Sequence, residues 1–303
     1  MGNRVKKTLQ TIVLLLSVLL CCCTLQNSIP AHAEKNEKAL MVSELVRLCS
    51  IDENELPEVE EHGNVRITVD TGSKEYDETL NALHQALAKQ PEYVEIESDI
   101  SLDEAMKLIS YEYFNPETFW LVHETGMKIR KWEGSPRLRF VAEYIEPAEE
   151  SAKMKEELNT LCDRIIKYAE INGYADTPED MARFVAVWIG EHCVYRPKDT
   201  VPSQLDKTAY GALVNKVAIC SGFTAAFNLL MLKSGYDAFC LLGQNGDAFH
   251  AWSGYTGSNS VIYKCDVTKL AVYKGNELAC WDESVNFTGD NGEYKEIGCN
   301  HFE

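Results

Sequence analysis

Residues 218–223 have the sequence Ala-Ile-Cys-Ser-Gly-Phe, and the apolar residues that follow recur at intervals of three and four. This spacing predicts a helix, with Lys233 near its end and Gly235 beyond it, where helices commonly stop. Cys220 then lies at the N-terminus of the helix. The unsatisfied backbone N–H groups and the helix dipole at that position favour a thiolate and can donate hydrogen bonds to an oxyanion.

Three predicted strands follow this helix, the first at Tyr236–Leu242, and the other two form a hairpin. The hairpin strands cover residues 248–255 and 261–267 and flank the five-residue polar loop Thr256–Ser260. A hairpin centred on the middle of that loop pairs His250 directly with Asp266, with Cβ atoms about 4.5–5.5 Å apart on one face. At that separation the carboxylate accepts a hydrogen bond from one ring nitrogen and leaves the other for a thiol.

Each of these residues, taken singly, also has a structural explanation. Cys220 could be a small buried hydrophobic residue, His250 a core or surface histidine, and Asp266 an exposed acid on a strand. Together they supply a nucleophile, a base and a group that orients the base. We therefore treat the three as the candidate catalytic residues.

Four segments of this region resemble the bacterial transglutaminase-like domain. That family has a Cys-x-Gly-aromatic motif, a His-Ala-Trp motif and an Asp-x-Thr motif in this order along the chain. The corresponding segments here are Thr-Ala-Tyr-Gly-Ala-Leu at 208–213, Cys-Ser-Gly-Phe at 220–223, Phe-His-Ala-Trp at 249–252 and Cys-Asp-Val-Thr at 265–268. The resemblance extends over residues 150–275.

The resemblance implies an α+β fold with a papain-like transglutaminase core, in which the nucleophile helix packs on an antiparallel sheet. It assigns the nucleophile to Cys220, the base to His250 and the orienting acid to Asp266. The backbone N–H of Cys220 is one expected oxyanion donor, and Tyr210 or Trp252 is the candidate for the second. Trp252 shares a face with His250 by strand alternation, so it also fits the role of an aromatic packing residue.

Two features depart from the family pattern. Lys269 follows the Asp-x-Thr motif, where many relatives have tryptophan. Cys240 and Cys265 near the candidate site are unusual for the family, and a disulfide between them beside the site is one interpretation. Trp188 and Tyr195 stand where such domains often have an aromatic helix and a tyrosine before the active loop.

The chain ahead of this domain forms a smaller α+β unit, and we divide the sequence into 1–33, 34–148 and 149–303. Periodicity predicts a β-α-β-α-β-β-β order within the smaller unit, where His84 has no metal partners at suitable spacing. Helices are predicted to begin near Glu149 and at Thr177. The other predicted elements are a helix at 39–48, strands at 65–69, 93–96, 119–124, 127–132 and 138–145, and helices at 79–90 and after residue 101.

The first 33 residues resemble a secretory signal peptide. Met1–Lys7 is basic, Leu9–Leu25 is largely apolar, and Ala31-His32-Ala33 is a small-x-small cleavage site. An uncleaved membrane anchor and lipidation at one of Cys21–Cys23 are the alternatives. All three interpretations predict a protein that is secreted or attached to the cell surface, and the resemblance to the bacterial domain implies a bacterial source.

Charge and cysteine spacing exclude several classes of function. The formal net charge of −18 disfavours nucleic acids and anionic lipids, so membrane contact is expected only through the N-terminus. Eight cysteines lie beyond the signal, none in a Cys-x-x-Cys pair, and no EF-hand loop is present. We expect no zinc, no calcium and no other cofactor.

These observations predict an exported thiol enzyme that acts on amide bonds of proteins or peptides. Attack by Cys220 gives a thioester, which water or an amine resolves by hydrolysis or transamidation. A non-catalytic surface or scaffold protein that retains the fold is the alternative. The residues do not separate hydrolysis from transamidation.

Overall fold

A computed structural model describes residues 51–59, 73–118, 120, 127–245, 248–272, 281–282 and 294–299. Several predicted segments lie outside these ranges. They are the signal segment, the helix at 39–48, the strand at 65–69 and, apart from Trp120, the strand at 119–124.

Residues 73–118 and 127–142 form a three-stranded antiparallel sheet with two helices. The strands have the order β1-β3-β2, so the last strand is the central one. The elements in chain order are α1 (Lys74–Leu87), β1 (Val94–Glu97), α2 (Leu102–Phe114), β2 (Met127–Lys131) and β3 (Arg137–Ala142).

The start of α2 shows why the sequence forms a helix there. Ser101 Oγ accepts a hydrogen bond from the Glu104 N–H, and the Glu104 carboxylate accepts one from the Ser101 N–H. This reciprocal pair satisfies two N–H groups that the first turn leaves without intrahelical partners. The predicted capping box is confirmed.

Two long helices follow and form much of the core. They are α3 (Ala148–Ile171) and α4 (Pro178–His192). Helix α4 begins with the Thr177 side chain accepting from the Asp180 N–H and with proline at its first position, as predicted. Nine of its fifteen residues are buried, so it is surrounded by other elements on most of its faces.

The C-terminal part combines short helices with a five-stranded sheet. The sheet order is β10-β6-β7-β8-β9, and every neighbouring pair is antiparallel. A separate parallel pair joins β4 to β5. The elements are β4 (Val194–Tyr195), α5 (Ala209–Leu213), β5 (Val217–Ala218), α6 (Cys220–Lys233), β6 (Ala238–Asn245), β7 (Ala248–Thr256), β8 (Ile262–Cys265), α7 (Val267–Val272), β9 (Trp281–Asp282) and β10 (Tyr294–Cys299).

Helix α6 packs against this sheet. The Phe227 ring lies 6.2 Å from the Tyr255 ring on β7, and Phe223 and Leu230 are fully buried. One continuous apolar cluster runs from Ile51 to Ala271 and so includes both parts of the chain. The predicted α+β class, with a cysteine helix packed on an antiparallel sheet, is confirmed. No helix within the described ranges has the length and hydropathy required to cross a bilayer.

The predicted hairpin register is wrong by a small amount. The structure pairs Ser253 with Cys265 and Thr256 with Ile262, so the hairpin is centred on Asn259 and not on Ser258. The cause lies in the loop. The Gly257 N–H donates to the Val261 carbonyl, and Ser260 adopts φ 62°, which leaves a three-residue loop with a left-handed last residue.

This correction changes the relation between His250 and Asp266. Moving the centre by one residue moves each partner by two, which keeps the two side chains on the same face. The strand predicted at 261–267 ends earlier, because β8 stops at Cys265 and Val267 begins α7. Asp266 therefore lies between β8 and α7, diagonal to His250 and not directly opposite it.

Candidate active site

Cys220 is the first residue of α6 and is partly exposed. The residue before it, Ile219, has an extended backbone, and its N–H donates to the Asp206 carbonyl at 2.9 Å. No described residue accepts a hydrogen bond from the backbone N–H groups of Cys220 or Ser221. These two donors, at the positive end of the helix dipole, are suited to an anion.

Close packing explains the glycine two positions after the cysteine. A Cβ atom at Gly222 would collide with the Asp206 carbonyl oxygen, lie 2.9 Å from Ala218 Cβ and lie 3.2 Å from the Thr208 carbonyl oxygen. The first turn of α6 can sit against this loop only because residue 222 has no side chain.

Asp206 also fixes the loop through its side chain. Its buried carboxylate accepts hydrogen bonds from the Arg196 guanidinium at 3.1 Å and from the Ser203 N–H at 2.9 Å. Sequence analysis missed both Asp206 and Arg196. Only the serine three positions before Asp206, a capping-box spacing, signalled a role for this acid.

His250 and Asp266 form a hydrogen-bonded pair. The histidine Nε2 donates to Asp266 Oδ2 at 2.9 Å, while Asp266 Oδ1 accepts from the Thr268 N–H at 3.1 Å at the start of α7. The His250 side chain is 12% exposed, and that of Asp266 is 1% exposed. Both carboxylate oxygens are satisfied, so this aspartate is held in one orientation.

The pKa of His250 links it to Cys220 as well as to Asp266. Burial acts to lower this pKa, but hydrogen bonds to Asp266 and to the Cys220 thiol, together with the negative charges of both groups, raise it to about 9. Because Nε2 bonds to Asp266, Nδ1 is the nitrogen left for the thiol. The structure thus brings all three candidate residues together.

Tyr195 borders the same site. Its ring stacks on Phe223 with centroids 6.4 Å apart and an interplanar angle of 4°. Burial raises the pKa of Tyr195, and the negative charges of Cys220 and Asp266 raise it further. Tyr195 therefore lies within range of the charges of both groups.

The two candidates for a second oxyanion donor lie in different surroundings. Tyr210 donates its hydroxyl to Glu157 Oε2 on α3 at 2.6 Å, so its proton is directed towards that carboxylate. Trp252 is 1% exposed and stacks on His250 with centroids 6.0 Å apart. It also packs with apolar side chains of β6. The structure therefore brings Trp252, and not the Tyr210 hydroxyl, beside His250.

The considered disulfide between Cys240 and Cys265 is absent. Both cysteines pair with Ser253, one from each side, so β7 separates them. Two strand spacings put their Cα atoms about 9–10 Å apart, beyond the span of roughly 7 Å that a disulfide allows. Across the described ranges, no three His, Cys, Asp or Glu side chains form a group that could hold a metal ion.

The fold and the site together define a class: an α+β protein with a cysteine at a helix start, a histidine on a strand and a buried aspartate in contact. Residues 167–262 match the family model described as Transglutaminase-like superfamily. The match includes Cys220 and His250 and ends before Asp266. The match supports the predicted transglutaminase-like core over these residues.

Solved structures with similarity to this chain are distant. The crystal structure of a TGase is 14% identical with a TM-score of 0.32, and the alignment covers 69% of this chain and 57% of that one. A candidate cysteine protease from Cytophaga hutchinsonii is 13% identical with a TM-score of 0.30, covering 57% of this chain and 70% of that one. This chain thus spans less than two thirds of the TGase. No curated protein matches the sequence.

Proposed function

We propose that this protein is a thiol-dependent enzyme that acts on amide bonds of proteins or peptides. In this proposal Cys220 is the nucleophile, His250 transfers the proton and Asp266 orients the histidine. One observation carries the proposal: the His250 ring bonds through Nε2 to the buried Asp266 carboxylate, which leaves Nδ1 for the Cys220 thiol. This is the relation between nucleophile, base and orienting group that acyl transfer requires.

The steps follow from the positions of these groups. The Cys220 thiolate attacks the amide carbonyl carbon, and the oxyanion forms next to the free N–H groups of Cys220 and Ser221. The protonated His250 then gives its proton to the leaving amine as the C–N bond breaks, which leaves a thioester on Cys220. His250, now neutral, removes a proton from the incoming water or amine, whose oxygen or nitrogen bonds to the thioester carbonyl carbon as the C–S bond breaks and the Cys220 thiolate leaves.

The raised pKa of His250 suits the first half of this cycle. An imidazolium with a pKa of about 9 stays protonated at neutral pH and supports a thiolate beside it. The same value makes the histidine a weaker acid towards the leaving amine than an ordinary imidazolium. We therefore expect the acylation rate to fall as pH rises through about 9.

Export is a further part of the proposal. It rests on the basic, apolar and small-x-small segments of residues 1–33. N-terminal sequencing of the protein released by a bacterial host tests it. A mature N-terminus at Glu34 is the expected result, and a full-length protein that stays in the cytoplasm contradicts it.

The enzyme activity is tested with two readouts on one substrate. Casein is incubated with the protein beginning at Glu34, and mass spectrometry follows peptide-bond cleavage while dansylcadaverine incorporation follows transamidation. At least one activity is expected, and Cys220→Ala should abolish it. Cys162→Ala, which removes a fully buried cysteine of α3, is the matched control and should retain it. An activity that persists in Cys220→Ala contradicts the proposal.

A further inference from the structure

One face of the N-terminal sheet carries a group of basic side chains. Strand alternation places Lys128 and Arg130 of β2 on the same face as Arg137 and Arg139 of β3, because the register pairs Arg130 with Arg139. Leu138, between the two arginines of β3, is fully buried, so the basic side chains point away from the core. We call these four residues the basic face. It contrasts with the whole chain, which has 29 basic and 47 acidic residues.

The arginines of the basic face are held by an aromatic ring. Trp132 directly follows β2, and the guanidinium carbons of Arg130 and Arg137 both lie 4.7 Å from its ring centroid. The guanidinium carbon of Arg139 lies 5.6 Å from the same ring and 4.4 Å from the ring of Tyr93. A guanidinium stacked on a ring keeps N–H groups at its edge that can donate to a carboxylate. The arginines are therefore positioned for an anionic group.

The acids of the sheet balance only the β1 side of the basic face. Glu95 Oε1 accepts hydrogen bonds from Arg137 Nη2 at 2.6 Å and from Arg139 Nε at 2.8 Å. On the β2 side, Lys128 and Arg130 form no ion pair with an acid of the described ranges. The register puts Arg130 directly opposite Arg139, and like charges in that position destabilise a sheet. A bound anion on the β2 side would relieve this repulsion.

The spacing of the bases on β2 indicates the shape of that anion. Lys128 and Arg130 are alternate residues of one strand, so they are about 6.6–6.8 Å apart along it. An extended peptide repeats the side chains of one side at the same interval. Strand β1 shows the match within this molecule, because its alternate acids Glu95 and Glu97 are in register with the two arginines of β3. Carboxylates at alternate positions of an extended peptide therefore fit both bases of β2.

Polymers of phosphate and anionic membranes fit this face less well than a short acidic peptide does. The net charge of −18 repels both at long range. The guanidinium groups around Trp132 occupy the ring surface on which a nucleobase would stack. Glu95 and Glu97 lie on the same sheet and oppose a densely charged phosphate surface. Charge complementarity therefore favours a peptide with a few well-spaced carboxylates.

We propose that the basic face binds an extended acidic segment of a partner protein that has glutamate or aspartate at alternate positions. This assigns a binding role to the N-terminal unit. The role does not depend on the chemistry of Cys220, so the Cys220→Ala variant should bind the same segment with unchanged affinity.

Two dye-labelled octapeptides test the proposal by fluorescence anisotropy with the full-length protein at low ionic strength. One alternates glutamate with threonine. The other alternates pairs of glutamates with pairs of threonines, which keeps the composition and charge but leaves no two glutamates at alternate positions. The first peptide should bind about fivefold more tightly, because it aligns one more exposed ion pair. Added salt should weaken its binding.

Charge reversals on the basic face locate the binding site. Lys128→Glu and Arg130→Glu should each weaken binding of the alternating peptide about tenfold, because an attraction is replaced by a repulsion. Lys198→Glu, the same reversal at an exposed loop residue of the C-terminal part, is the matched control and should retain the affinity. Urea denaturation distinguishes a binding role from a structural one. Arg130→Glu should not lower the free energy of unfolding, because it places an acid opposite Arg139.

Four results would overturn the proposal. The first is equal binding of the two peptides, and the second is an affinity that neither Lys128→Glu nor Arg130→Glu changes. The third is tighter binding of an oligothymidylate or of phosphatidylserine vesicles than of the alternating peptide, which would assign the face to phosphate groups. The fourth is a dimer in sedimentation that Arg130→Glu dissociates, which would assign the face to a second copy of the chain.

Discussion

Two histidine–carboxylate pairs lie in different parts of this molecule. They differ in the hydrogen bonds of the acid and in the groups around the histidine. In the C-terminal part, His250 Nε2 lies 2.9 Å from Asp266 Oδ2. In the N-terminal unit, His84 Nδ1 lies 3.2 Å from Glu112 Oε2, and the Glu112 side chain is fully buried. A histidine beside a buried acid is therefore not enough to define an active site here.

The surroundings of the two acids differ. Asp266 uses one oxygen for His250 and the other for the Thr268 N–H. Glu112 has an Oε1 without a partner among the described residues, and burial raises the pKa of its carboxyl. Hydrogen bonding to Glu112 raises the pKa of His84 despite the opposing effect of its burial. Each group of the N-terminal pair therefore keeps its proton to a higher pH than the isolated side chain does.

The two pairs also differ in whether a third group, a thiol, contacts the histidine. The His250 ring reaches a partly exposed thiol at a helix N-terminus, whereas His84 pairs only with Glu112 in the contacts described. A cysteine at the positive end of a helix converts a buried pair into a site that can form a covalent bond. The comparison predicts that substitutions in the His250–Asp266 pair change the thiol chemistry, whereas equivalent substitutions in the His84–Glu112 pair do not.

The largest effect is expected from removing the histidines. His250→Ala should slow iodoacetamide labelling of Cys220 by about 100-fold, the lower end of what a proton-transfer partner contributes. His84→Ala should leave that rate unchanged, since His84 has no contact with the site. Mass spectrometry of the carbamidomethylated Cys220 peptide measures both rates. Equal slowing in the two variants would remove the distinction between the pairs.

Substitution of the acids is expected to have the next largest effect on the labelling rate. Asp266→Asn removes a hydrogen bond to a charged group, a loss of about 1.5–3 kcal/mol, which corresponds to roughly 10- to 150-fold in the same rate. It should also move the His250 titration to below pH 9, because the aspartate helps to raise that pKa. Glu112→Gln should change neither quantity. Histidine NMR titration, run beside the labelling assay, measures the His250 pKa. A change of that pKa in Glu112→Gln would contradict this prediction.

The Gly222→Ala substitution is expected to have a smaller effect, on the stability of the fold. Alanine is favoured over glycine within a helix by about 1 kcal/mol, yet its Cβ would collide with the Asp206 carbonyl and contact Ala218. Overpacking of this kind costs about 1–3 kcal/mol, so Gly222→Ala should lower the free energy of unfolding. Urea denaturation measures this free energy. An unchanged or higher value would show that the loop containing Asp206 moves aside at no energetic cost.

A further effect is the dependence of stability on pH. The pKa of His250 is raised from 6.5 to about 9. Its protonation therefore stabilises the folded state fully below pH 6.5, and this contribution is lost as pH rises to about 9. The melting temperature should fall over this window more steeply for the wild type than for His250→Gln. Parallel curves for the two proteins would argue against the raised pKa.

Local sequence signals predicted much of this structure. The apolar spacing after Cys220 and the glycine at 235 located α6, and the Ser101–Glu104 box located α2. The pairing of His250 with Asp266 was predicted through a hairpin whose centre was off by one residue. The error came from Ser260, because a non-glycine residue with positive φ gives no strong sequence signal.

What the sequence did not reveal depends on contacts between distant segments. The support of the Cys220 loop by Asp206 follows from how β4, β5 and α6 meet, which no motif encodes. The hydrogen bond from Tyr210 to Glu157 joins residues 53 positions apart. The separation of Cys240 from Cys265 by β7 required the strand order, which hydrophobic alternation alone does not fix.

The activated state of Cys220 is tested most directly by its alkylation rate from pH 5 to pH 9, measured in one mixture with glutathione as the reference thiol. Cys162 serves as an internal control, because burial raises the pKa of its thiol to about 12. An ordinary thiol with a pKa near 8.5 is mostly protonated at pH 6. The predicted result is that Cys220 reacts faster than glutathione at pH 6 while Cys162 stays unlabelled. A Cys220 rate at or below that of glutathione at pH 6 would contradict the account.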